Sequence, residues 1–169
     1  IEATSVGTKV FFAGGVCSSE VSNVVDIYDI STNIWSTATL SQARTDLSAA
    51  SVGTKVFFAG GFDASGRRSN VVDIYDIITI TWSTATLSQA RYHLSAASVG
   101  TKVFFAGGLS ASGVSNVVDI YEAPTIPSFE ISASANPTGG GSVSGDGSYN
   151  YGQQANLTAT PSTGYDFVN

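Results

Sequence analysis

Lys9-Val-Phe-Phe-Ala-Gly-Gly15 returns as Lys55-Val-Phe-Phe-Ala-Gly-Gly61 and again as Lys102-Val-Phe-Phe-Ala-Gly-Gly108. Working outward, Ser22-Asn-Val-Val-Asp-Ile-Tyr28 returns at Ser69–Tyr75 and Ser115–Tyr121. Trp35-Ser-Thr-Ala-Thr-Leu-Ser-Gln-Ala-Arg44 returns once, as Trp82–Arg91. The offset is 46 or 47 residues throughout. Repetition at a fixed period outranks local signals. Each period must be one supersecondary unit that buries its apolar face against the next.

Each period reads as four short strands. The first is Leu47–Val52, with Leu94–Val99 as its copy and residues 1–6 in the same place of the first period. Gly53-Thr54 makes a tight turn, because glycine accepts positive φ without steric cost. The second strand is Lys55–Ala59, β-branched and aromatic, ended by Gly60-Gly61. The third is Val71–Tyr75 and the fourth starts at Trp82. Short strands, frequent turn signals and no helical periodicity argue an all-β repeat. Four strands in a period of this length make one blade of a β-propeller.

The chain then resembles the kelch repeat family. The matching signature is a glycine doublet ending a strand, then a tyrosine, then a tryptophan seven residues on. These are Gly14-Gly15, Tyr28 and Trp35, then Gly60-Gly61, Tyr75 and Trp82; the third copy has Gly107-Gly108 and Tyr121 but no tryptophan. The resemblance covers residues 1–122 and implies blades at about 1–43, 44–90 and 91–122. These motif residues read as structural, the glycines allowing tight backbone near the propeller centre. Tyrosine and tryptophan fill the space between adjacent blades with their polar tips bonded.

Two full blades and a third without its last strand do not close a ring, which takes four to eight blades. Blade faces and strand edges stay open. Three arrangements remain: a piece of a longer propeller, a ring completed by several chains, or an open head-to-tail filament. After Tyr121 the pattern breaks. Residues 123–127 carry two prolines and read as a stiff linker. Residues 128–169 follow as four short strands with glycine turns: Phe129–Ala135, Ser148–Tyr151, Gln154–Ala159 and Pro161–Val168. Ala135-Asn-Pro137, Gly140-Gly-Ser-Val143, Tyr151-Gly152, Leu157-Thr-Ala-Thr-Pro161 and Gly164-Tyr-Asp-Phe167 resemble the divergent internalin B-repeat. That resemblance implies a stalk or spacer module of a bacterial surface protein.

Composition narrows the function. Apolar residues are 43% of the 169, enough for a core, while charged residues are 12%, about half the usual share. Net charge is −6 and the seven basic residues are dispersed, which leaves no footprint for nucleic acid. No apolar run is long enough for a membrane helix. Methionine is absent, so the sequence reads as a mature product or an excerpt without signal peptide. Cys17 stands alone, and low charge with abundant Ser and Thr fits a surface or secreted protein. Asn156-Leu-Thr158 is a glycosylation sequon.

One histidine and one cysteine leave no ligand set for a metal, and no cofactor is expected. His93 has serines around it but no nucleophile elbow or oxyanion motif, so no enzyme is expected. Gly139–Gly147 lacks the lysine and helix of a phosphate loop. Asp63 and Asp146 lack calcium-loop spacing. The recurring Asp26, Asp73 and Asp119 read as backbone-bonded structural groups.

Copies diverge at 16–21, 62–68 and 109–114, and again at Thr45-Asp46 against Tyr92-His93. In an up-and-down blade these connections emerge on one face, which suits a binding surface; neutral loop drift gives the same pattern. Its contact-capable residues are Asp63, Arg67, Arg68, Tyr92 and His93. The expected function is adhesion or assembly at a cell surface through self-association. The alternative is a scaffold binding protein or glycan whose remaining blades lie outside this chain.

Overall fold

The computed structural model describes residues 1–18, 20–125 and 127–166. It divides into two compact units, Ile1–Thr125 and Ile126–Asn169.

In the first unit each repeat folds into its own antiparallel sheet. Glu2–Val6, Lys9–Ala13, Val24–Asp29 and Ile34–Thr39 lie side by side in that order. Ser48–Val52, Lys55–Ala59, Val71–Asp76 and Thr81–Thr86 repeat the arrangement, and Ser95–Val99, Lys102–Ala106 and Val118–Glu122 repeat three-quarters of it. The register repeats as well. Phe11 faces Ile27, Phe57 faces Ile74 and Phe104 faces Ile120. Tyr28 faces Trp35, and Tyr75 faces Trp82.

Side chains alternate across a strand, so each sheet has two faces. Phe11, Ala13, Val25 and Ile27 of the first sheet meet Val56, Phe58 and Tyr75 of the second in one buried cluster. Phe57, Ala59 and Val72 on the opposite face meet Val103 and Phe105 of the third in another. The core is thus two seams between blades, each built by near-identical residues.

Two expectations need correction. Leu47 and Leu94 lie before their strands, which start at Ser48 and Ser95, yet both side chains are buried in the seams. Trp82 is half-buried against Phe58 and Tyr75, but Trp35 fills no seam: it is 60% exposed. The face carrying Phe12, Tyr28 and Trp35 has no sheet over it among the described residues. Glycines of the doublets lie close to neighbouring backbone, as described below.

The third sheet ends where the prolines begin. The Ala123 N–H donates to the Thr101 carbonyl at 2.8 Å and Ala123 is buried, so the chain leaves the edge at Pro124. The second unit holds two ribbons, Ser128–Ile131 with Gly147–Asn150 and Gly141–Ser144 with Thr158–Pro161. The expected strands at Gln154–Ala159 and Pro161–Val168 are replaced by Thr158–Pro161 alone, and the glycine-rich run supplies the partner. A side chain at Gly141 would strike the Thr160 carbonyl oxygen, so only glycine admits this pairing. Phe167 and Val168 lie outside the described residues.

Candidate binding surfaces

The connections between blades organise every candidate surface. Leu40-Ser-Gln-Ala-Arg44 leaves the first sheet and crosses to the second. Leu40 is buried in the seam, and the Ser41 N–H donates to the Asp73 carboxylate at 2.9 Å. Ser69 donates its hydroxyl to the Gln42 amide oxygen at 2.7 Å. Arg44, fully buried, donates from Nη1 to the Gly60 and Val71 carbonyls at 2.7 Å each. Its Nη2 donates to the Phe58 carbonyl at 3.2 Å and pairs with Asp73. Burial pulls the guanidinium below its ordinary pKa and Asp73 opposes that.

Leu87-Ser-Gln-Ala-Arg91 repeats the lock on the third sheet. Arg91 donates to the Gly107 and Val117 carbonyls at 2.7 and 2.8 Å and pairs with Asp119, which also accepts the Ser88 N–H at 2.9 Å. Asp73 and Asp119 are therefore backbone-bonded as expected, but each also holds a buried arginine from the preceding blade.

The glycine doublets are shaped by the same connections. A Cβ on Gly60 would sit 2.5 Å from the Arg91 carbonyl oxygen, and one on Gly108 would sit 2.6 Å from that of Tyr92. Gly14 meets Arg44 and Gly61 meets Thr45 in the same way, and Gly15 meets Ile1. Gly107 has no described connection beyond it; the nearest atom, the Ser115 carbonyl oxygen, is 3.8 Å away. The Gly60-Gly61 doublet thus passes between two connections, and its two residues need glycine for two different neighbours.

The divergent loops do converge. Phe62-Asp63 pairs with Arg44-Thr45, and Tyr92 bridges to Leu109, so the loops after the second and third doublets lie against the preceding connection. Phe62 and Tyr92 rings are 4.1 Å apart, and the Arg68 guanidinium lies 5.8 and 5.6 Å from their centroids. His93 sits 4.7 Å from the Tyr92 ring, with its Nε2 3.7 Å from Asp46. Arg68, Tyr92 and His93 thus form one cluster with Phe62 and Asp46, two residues the sequence did not single out. Asp63 accepts the Ser65 and Arg67 N–H groups of its own loop at 2.8 and 2.9 Å and the Gln42 side-chain amide of the connection at 3.3 Å. Arg67 is exposed.

The remaining candidates are scattered. Asn156 is exposed in the second unit. Cys17 is exposed in a short two-stranded hairpin after the first glycine doublet, separate from the first sheet. No three His, Cys, Asp or Glu residues gather as a metal site among the described residues. No described helix is long and apolar enough to cross a membrane.

Repeated four-stranded sheets, glycine doublets, Tyr–Trp pairs and interblade arginines define a repeat protein of propeller blades. A family model of the Kelch motif matches residues 1–39 and 43–86, so the first unit carries Kelch motifs. A second family model, the divergent InlB B-repeat domain, matches residues 131–169. No curated protein matches the chain.

Proposed function

We propose that this chain is a non-catalytic cell-surface module that binds protein and assembles with other chains through its blade faces. Kelch motifs in general mediate protein–protein interaction, and the B-repeat suggests a bacterial surface protein. One observation carries the assembly reading. Val25 and Val72 are fully buried in their seams, while Val118, the same residue of the third copy, is 51% exposed. Ile120 is open where Ile27 is buried. At the other end Trp35 is open where Trp82 is packed. The third blade offers the face that the first and second blades bury, and the first blade offers the face that the second and third bury. Such surfaces are complementary head to tail.

Sedimentation of the full chain over a wide concentration range tests this. Mass should rise with concentration, and Val118→Lys should hold the chain monomeric while leaving both internal seams intact. A monomer at every concentration would exclude assembly. The Phe62–Arg68–Tyr92–His93 cluster favours a second reading, a protein or glycan ligand held on the loop face. Loss of ligand capture by Tyr92→Ala, with sedimentation unchanged, would select it.

A further inference from the structure

The copies are almost literal outside their loops, and several of the departures meet in space. Phe62 stands where the other copies have Val16 and Leu109, and Arg68 where they have Val21 and Val114. The register agrees: Phe62 bridges Arg68 as Val16 pairs with Val21 and Leu109 with Val114. Tyr92 and His93 replace Thr45 and Asp46 in the next connection. The His93 N–H donates to the Asp46 carbonyl at 3.2 Å, which ties the two connections together at this point. The Phe62 and Tyr92 rings are half-buried, while Arg68, His93 and Asp46 are exposed.

Charge sets this cluster apart. Of the seven basic residues, Lys9, Arg44, Lys55 and Arg91 each pair with an aspartate, and Lys102 faces Glu122 across two strands. Arg67 and Arg68 have no carboxylate partner among the described residues. Asp63, the acid of their own loop, is engaged by the Ser65 and Arg67 N–H groups and by Gln42. Arg68 instead rests against both aromatic rings, 5.8 and 5.6 Å from their centroids. A guanidinium held by ring faces keeps its in-plane N–H donors available to an anion.

We infer that this cluster is a subsite for an acidic sugar, a uronate residue of a glycan, with Arg68 receiving the carboxylate. The inference rests on the loop-face reading and names its ligand class. A guanidinium meets a carboxylate through two parallel N–H···O bonds, and its aromatic backing fixes the direction of approach. Asp46 and His93, 3.7 Å apart, offer polar partners to sugar hydroxyls. The half-exposed rings beside them give apolar contact to the C–H face of a pyranose. A run of acidic side chains fits less well. Exposed Asp46 repels a second carboxylate nearby, and the net charge of −6 opposes a dense polyanion. A glycan separates its carboxylates with hydroxyls, which puts one anion on Arg68 and hydroxyl donors on Asp46.

The test uses the full chain and a fluorescently labelled tetrasaccharide of alternating glucuronate and N-acetylglucosamine. Anisotropy should show saturable binding. Reducing the probe's carboxylates to alcohols should weaken it at least about tenfold, as loss of a charge-assisted pair does. Arg68→Gln should do the same with thermal unfolding unchanged. Arg67→Gln, at an arginine without aromatic backing, should change binding less than about threefold. The reduced probe keeps the test decisive if Arg68→Gln fails to fold. No saturable binding at millimolar probe overturns the inference, as does tighter binding of labelled tetraglutamate. Equal losses from Arg67→Gln and Arg68→Gln would mean diffuse attraction and overturn it too. Undiminished binding of the reduced probe, lost in Tyr92→Ala, would keep the loop-face reading and overturn the acidic-sugar assignment alone.

Discussion

The backbone N–H of Ser41 donates to the Asp73 carboxylate at 2.9 Å, across the seam from one blade to the next. Arg44, three residues on, reaches the same carboxylate with its guanidinium. One aspartate thereby fixes both the path of the connecting backbone and the end of a buried arginine. Apolar seams alone would tolerate sliding, because near-identical valines and phenylalanines face each other. The shared carboxylate sets the angle at which the next blade docks.

Arg44→Ala should cost about 3–5 kcal/mol, because it strands a buried carboxylate without its counter-charge. Asp26→Asn, at the exposed copy, should change stability by no more than about 0.5 kcal/mol. Urea unfolding of the two variants measures both. Equal losses would mean that the pair does not close the seam.

Gly60→Ala and Gly107→Ala form a matched pair. Both glycines have positive φ, 69° and 68°, so an alanine at either pays about the same backbone cost, ~1 kcal/mol. Only at Gly60 does the new Cβ meet a backbone oxygen, at 2.5 Å, and that overpacking should add about 1–3 kcal/mol more. Thermal unfolding should rank the variants in that order.

Ile80→Asn should stabilise the protein by about 1 kcal/mol. Ile80 is an exposed β-branched residue held at φ 57°, a region it strongly disfavours. The first blade has Asn33 at the same point, with φ 58° and its side-chain oxygen accepting the Tyr28 hydroxyl at 2.9 Å. The replacement relieves the strain and offers Tyr75 the same partner. A midpoint of urea unfolding that does not rise would contradict this.

Tyr121 gives the second seam an alkaline limit. Burial, then the neighbouring Asp119 charge, pushes its phenol up to about 12, and its hydroxyl donates to the Thr86 carbonyl at 2.7 Å. In the unfolded chain it would ionise near pH 10. The folded state thus holds the proton longer. The stability this contributes is complete below pH 10 and is lost as pH rises toward 12. Tyr121→Phe should flatten that part of the profile, followed by denaturant unfolding between pH 9 and 12.

The blades were legible because the repeat is nearly literal, and strand starts such as Lys55 and Val71 follow from β-branched runs bounded by glycine. Exposure of Trp35 was not legible, since a copied motif says which neighbour a residue is built for and not whether that neighbour stands there. The locks had a visible signal: two of the four arginines share one repeat position, and an aspartate recurs one period-step ahead. Joining Arg44 to Asp73 required knowing which sheet the connection crosses to. Asp46 and Phe62 were missed because each gains its role only when two divergent loops meet. In the second unit, polar strands with little alternation carried too weak a period to place Gly141–Ser144.

Lys9–Ala13, Lys55–Ala59 and Lys102–Ala106 are the same five residues, and each accepts a partner from the Val-Val-Asp-Ile-Tyr series in one register. Their hydrogen-bond ladders do not tell kin from stranger. A chain diluted out of denaturant meets decoys as good as its proper mates, and mispaired species must unzip before the locks can engage. Synthesis from the N-terminus removes that ambiguity in time. Each strand finds its intended partner before the competing copies have left the ribosome.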